Sequence, residues 1–213
     1  MYPLKCALAF VFCSCLFMVP RAQPVMVKIS KTELPQHLKY VGDFIDAIHW
    51  HDSLGENVVI RSHTGLYQTQ ADVDSGTNSA ALFAYRYLVK GDSAELGWKM
   101  TDFVKGCELD ITANFLEDAL LITDLDKDSI AEVWLIYQKA CRGDVSPAEM
   151  KILMYEGDKK HVMRGVRRIQ ISETEILGGE YSFGAAFQKA NAVFRQYAKK
   201  LWKQFLMADL EVL

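Results

Sequence analysis

Nine residues, Asp124-Leu125-Asp126-Lys127-Asp128-Ser129-Ile130-Ala131-Glu132, stand between two apolar runs, residues 119–122 and 133–137. That pattern leaves the chain few choices. Uninterrupted runs of Leu, Ile, Val and Trp suit strands covered on both faces. Asp and Ser between them are turn formers. The stretch therefore predicts a hairpin whose strands are buried on both sides and whose loop carries four carboxylates.

Counting Asp124 as position one, carboxylates fall at positions one, three, five and nine (Asp124, Asp126, Asp128 and Glu132), with the Ile130 carbonyl available at seven. Alternate oxygens in a tight loop converge on one point, which suits a hard cation such as Ca²⁺. An EF-hand would also need Gly at position six and a bidentate Glu at twelve. Ser129 and Leu135 occupy those places, and strands flank the loop, so it is not an EF-hand. It resembles instead the calcium loop of FG-GAP repeats, where an Asp-rich turn joins two strands. The competing reading is a solvated acidic turn with Lys127 offsetting part of the repulsion.

The rest of the chain is mostly strand-like. Residues 57–62 are rich in β-branched side chains and run to a Thr64-Gly65 turn. Residues 80–89 are aromatic-rich and stop at Lys90-Gly91-Asp92. Leu96, Trp98 and Met100 alternate with polar neighbours, and Met150, Ile152 and Met154 precede a hairpin turn at residues 156–159. Residues 34–45 suggest a short helix or an extended lead-in. At the end, Ser182 offers an N-cap, and Phe183, Phe187, Ala190, Phe194, Tyr197, Leu201 and Phe205 form one stripe on a helix of about seven turns. The expected fold is α+β: a mostly antiparallel sheet of about seven to nine strands packed against a long C-terminal amphipathic helix.

Residues 1–22 have the form of a secretory signal peptide, with Lys5 before an apolar run and Ala22 at a cleavable position. Residues 23–213 would then be one exported domain with no transmembrane segment. Removing residues 1–22 takes two of the 24 basic and none of the 27 acidic side chains, moving the formal charge from −3 to −5. That balance argues against a nucleic-acid partner. Of five cysteines only Cys107 and Cys141 remain, and in an exported chain these most simply form one disulfide.

Other candidate sites are weaker. His49 and His51, at i and i+2 with His63 downstream, can chelate a transition ion from one strand face. No compact ligand set follows them, which favours a surface turn anchored by Trp50. Glu117, Asp118 and Asp102 are the carboxylates from which an acid–base pair would have to be drawn. Lys189, Arg195, Lys199, Lys200 and Lys203 give the C-terminal helix a basic face, and Arg164, Arg167 and Arg168 add a second basic cluster. Together these eight would make a patch for an anionic glycan or another anionic component of the cell envelope. The bland alternative is a solvated helix face.

The residues 118–165 carry a wider resemblance. Ile122-Thr123-Asp124-Leu125-Asp126-Lys127-Asp128-Ser129-Ile130-Ala131-Glu132-Val133, Ala140-Cys141-Arg142-Gly143-Asp144-Val145-Ser146-Pro147, Met150-Lys151-Ile152-Leu153-Met154-Tyr155-Glu156-Gly157 and Arg164-Gly165 resemble a family of small exported proteins of Bacteroidetes-type bacteria, catalogued as surface polysaccharide biosynthesis proteins. Glu56-Asn57-Val58-Val59 and Trp98-Lys99 with Thr101-Asp102 fit the same family's earlier strands. Its members commonly have Gly where Ser129 stands. The resemblance implies a role in surface polysaccharide production and names no reaction. The expected function is an accessory or binding module of the periplasm, cell surface or extracellular space, with a calcium-braced hairpin. Its rival is a small carbohydrate-active enzyme using paired carboxylates.

Overall fold

A computed structural model describes residues 24–207, so the predicted signal peptide lies outside the described residues. The first sheet is a meander of five strands in chain order. They are β1 (Met26–Ile29), β2 (Asp43–Asp52), β3 (Gly55–Tyr67), β4 (Asn78–Lys90) and β5 (Ser93–Cys107). The second sheet contains β6 (Asp110–Thr123), β7 (Glu132–Arg142), β8 (Glu149–Glu156) and β9 (Lys159–Val166). A ribbon of β10 (Arg168–Gln170) and β11 (Ile176–Gly178) follows, and β12 (Tyr181–Phe183) then joins the second sheet beside β9. Every pairing between these strands is antiparallel.

The two sheets lie face to face over one core. Ile48, Trp50, Val59, Leu82 and Met100 of the first meet Leu120, Val133, Leu135, Leu153 and Tyr155 of the second. Strand alternation explains the continuous apolar runs. Val133, Leu135 and Tyr137 face the first sheet, while Trp134 and Ile136 face outward into a second core. The outer face of the first sheet is covered too: Val58, Ile60, Phe83 and Tyr85 pack beneath Leu34, Leu38 and Tyr40. Residues 34–42 are thus an extended lead-in rather than a helix, tied down where Ser62 Oγ donates to the Val41 carbonyl (2.7 Å).

The expected α+β class and its antiparallel sheet are present. Twelve strands replace the expected seven to nine among the described residues, because β1, β10, β11 and β12 are only three or four residues long and show no periodic pattern. The long helix is also corrected. Ser182 lies on β12, opposite Arg164, and the apolar stripe is divided between α2 (Ala185–Lys189) and α3 (Ala192–Gln204). Asn191 makes the break, since its side chain accepts the Val193 amide and starts a new helix. Arg195 donates to the carbonyls of Gln188 and Ala190, which α2 leaves unsatisfied at its end. The stripe still does its packing work. Phe187, Phe194, Leu201 and Trp202 bury against Trp134, Ile136, Met150 and Met154, each contributing about 1.5–3 kcal/mol. A short helix, α1 (Gln70–Ser75), links β3 to β4.

Beyond the core, a disulfide and an ion cluster help to join the sheets. Cys107 at the end of β5 is bonded to Cys141 of β7, as expected. Closing that 34-residue span stabilises by about 3–4 kcal/mol in the loop-entropy model. Asp102 of β5 accepts from Tyr137 (2.7 Å), Lys139 (2.8 Å) and Lys151 (2.6 Å) on the opposing sheet. Burial works to raise its carboxyl, but those three donors outweigh it and hold it down to about 2. Asp102→Ala would leave the two lysines with Glu149, at 3.5 and 3.3 Å, as their remaining shared anion. We expect a loss of about 3 kcal/mol and a Tm lower by about 6–12 °C, read by calorimetry near neutral pH.

Candidate metal centre

The loop between β6 and β7 is shaped by its own aspartates. Asp126 accepts the Asp128 amide (3.4 Å), and Asp128 accepts the Ile130 amide (2.7 Å), so alternate carboxylates fold the chain back on itself. Lys127 and Ser129 stand at φ 63° and 71°. In this left-handed region a side chain costs about 1–2 kcal/mol and glycine none. The position at which an EF-hand places Gly is thus the position where Ser129 is strained.

The loop is also docked on the first sheet. Ser53 in the β2–β3 turn donates to the Ser129 carbonyl (2.8 Å), and Ala131 donates to Asp52 (3.1 Å). Asp52 in turn accepts from Trp50 Nε1 (2.9 Å), the Leu54 amide (2.8 Å) and Asn57 Nδ2 (3.0 Å). One carboxylate therefore anchors the turn of one sheet to the loop of the other.

Within this frame Asp124, Asp126 and Asp128 each bring a carboxylate oxygen within 4.8 Å of the others. A second group shares Asp126 and adds Glu132 and Glu156, with the same spacing. The four predicted carboxylates are therefore divided between two groups that share Asp126. Glu132 is fully buried and turned inward, accepting from Thr123 Oγ1 (2.5 Å) and the Leu125 amide (3.0 Å). Thr123 in turn accepts from Trp134 Nε1 (2.8 Å). Ile130 has its amide on Asp128 and lines a cleft of about 430 Å³ with Arg86, Glu95, Glu156 and Lys159.

Glu156 is the residue that sequence reasoning missed. The β7–β8 register sets it directly opposite Glu132, and like charges opposed in a ladder destabilise the pair. Lys159 meets one of its oxygens at 3.0 Å. No local spacing marks Glu156 as a partner of the loop, because the pairing depends on strand register. Electrostatics record the crowding. Burial pushes the Glu132 carboxyl up to about 7, with the charges of Asp126 and Asp124 adding to the shift. Burial likewise raises Asp126, reinforced by Asp128, Glu156 and Asp124. All donors of both groups are carboxylate oxygens, a set suited to a hard divalent cation.

The other predicted residues are dispersed. Arg167 is committed to Gln138 (2.9 Å) and to the carbonyls of Phe205 and Met207. Arg195 serves the end of α2, and Arg168 is half-buried. Arg164 follows Met163, which packs beneath the helices, so alternation turns Arg164 to the opposite face of the sheet. Lys189, Lys199, Lys200 and Lys203 are exposed on the helix side.

The acid–base candidates stand in different surroundings. Asp102 is held by its two lysines, and Glu117 is exposed. Asp118, at a bulge with φ 50°, lines a cleft of about 470 Å³ with Asp46. Glycoside hydrolysis needs one protonated carboxyl beside an ionised one. Here each carboxylate faces its own cation, Asp46 with Arg61 (2.5 Å) and Asp118 with Lys28 (3.6 Å).

No family model, curated protein or solved structure matches this chain.

Two outcomes are expected at the loop. Ser129→Gly relieves the left-handed strain and raises the Tm by about 2–4 °C in a thermal melt. The second concerns pH. Glu132 is protonated in folded and unfolded chains below its ordinary value of 4.5, but between there and about 7 only the unfolded chain ionises. In chelator the fold therefore loses stability as pH rises through that window. Glu132→Gln should flatten this dependence in melts recorded across it.

Proposed function

We propose that this chain is an exported accessory or binding module without catalytic activity, whose β6–β7 hairpin is braced by a calcium ion. The observation that carries the reading is the convergence of Asp124, Asp126 and Asp128 within 4.8 Å in a loop whose backbone is already fixed. Three carboxylates, with the Ile130 carbonyl as a further oxygen ligand, suit Ca²⁺, which takes six to eight oxygen ligands in flexible geometry. Calcium would relieve the repulsion among Asp126, Glu132 and Glu156 and hold the loop on the β2–β3 turn. Modules of the extracellular space bind it at about 10⁻⁴–10⁻³ M.

Export is supported by the Cys107–Cys141 disulfide, since disulfides persist in oxidising compartments, and by the signal-like pattern of residues 1–22. Among the described residues no helix is long and apolar enough to cross a membrane. The link to surface polysaccharide rests on the sequence resemblance. Its contact surface would be the exposed Lys189, Lys199, Lys200 and Lys203, with an anionic glycan or another envelope component as the partner.

Melting the protein in excess calcium and in chelator tests the bracing role. A rise of about 5 °C or more with calcium, absent in Asp124→Asn/Asp126→Asn, is the expected result. Identical curves in both conditions would reduce the loop to an acidic turn.

A further inference from the structure

We propose a second metal site, distinct in chemistry and place from the Asp loop: His49, His51 and Glu56 bind a borderline divalent ion of the zinc class on the outer face of the β2–β3 hairpin. The two histidines lie on strand β2 rather than in the surface turn expected from sequence. Trp50 between them points into the inter-sheet core, so alternation turns both imidazoles to the other face. What the sequence did not supply was a third ligand. The hairpin supplies it, because its register sets Glu56 directly opposite His51 and diagonal to His49.

The contacts are close. His49 Nε2 lies 2.5 Å from one Glu56 oxygen, and His51 Nδ1 lies 3.0 Å from the other. Two imidazoles thus flank one carboxylate, one at each of its oxygens. Two imidazoles with one carboxylate are the donor set that zinc and its neighbours accept, leaving room for water or a ligand atom to complete the coordination. The three side chains are 39%, 69% and 47% exposed, so an ion reaches them from solvent, and the two imidazoles turn toward each other to share it. The backbone beneath is fixed by continuous pairing of β2 with β3 and by Asp52 in the turn. His63 takes no part, since it stands seven residues along β3 from Glu56, about 23 Å on an extended strand. The site also differs in kind from the Asp loop: nitrogen donors select the borderline ion, and the all-oxygen loop selects the hard one.

Calorimetric titration of the purified protein with Zn²⁺, in buffer already saturated with calcium, tests the assignment. One zinc per chain is expected, with His51→Ala and Glu56→Gln each weakening binding at least about tenfold. Asp124→Asn/Asp126→Asn should leave the zinc affinity unchanged. Substituting Co²⁺ gives an independent readout, as the visible absorption bands of a nitrogen-ligated ion should appear and be lost in His49→Ala. Equal melting of each variant and the parent protein without zinc establishes that the fold is intact. Absence of zinc binding at millimolar concentration overturns the proposal. So does undiminished binding by His51→Ala, or loss of zinc in the aspartate variant instead.

Discussion

The inner faces of the two five-stranded sheets bury Ile48, Val59, Leu82 and Met100 against Leu120, Val133, Leu135 and Leu153. That burial dictates where polar chemistry can stand. Both sheets are covered on their outer faces as well, one by the lead-in and the other by α2 and α3. Charged groups that approach the interior must therefore be paired or neutralised where they enter. Along β7 this happens twice. Toward its end, Lys139 joins Lys151 in enclosing Asp102 of the opposite sheet. At its start, Glu132 faces Glu156 with Asp126 close by, an excess of negative charge.

The contrast between the two ends is informative. The Asp102 cluster contains its own counter-charges and is complete as a structural link. The acidic end gathers carboxylates on both sides of Asp126, and Lys159, largely exposed, meets Glu156 and feels the charges of Asp128 and Asp126 from farther off. A loop held by Asp52 and Ser53 of the opposing turn cannot relieve this by swinging outward without breaking those bonds. A bound divalent ion would resolve the conflict, converting the repulsion into a link between the sheets. The same β2–β3 hairpin presents His49, His51 and Glu56 on its other face.

Much of this was legible in the sequence because the patterns were local. The apolar runs beside the Asp loop gave the hairpin, alternation around Trp98 and Met150 gave strands, and two cysteines left one pairing. What depended on register was not legible. Glu156 becomes a neighbour of the loop only through its pairing with Glu132, and Glu56 joins the histidines only through the hairpin. The apolar stripe after Ser182 was read correctly as a packing face but wrongly as one helix, since Asn191 caps a new start within the period. The basic residues fell short of one patch for a related reason. Charge in sequence does not reveal that Arg167 and Arg195 are committed to backbone carbonyls.

A calcium ion in the β6–β7 loop would lock the junction of the two sheets. Amide hydrogen exchange, with and without calcium, reads that junction directly at Leu125, Ile130, Ala131 and Ser53. Their amides bond to Glu132, Asp128, Asp52 and the Ser129 carbonyl respectively. Exchange slowed about tenfold or more at all four on adding calcium is the expected result. Unchanged rates at these amides, with calcium saturating, would contradict it.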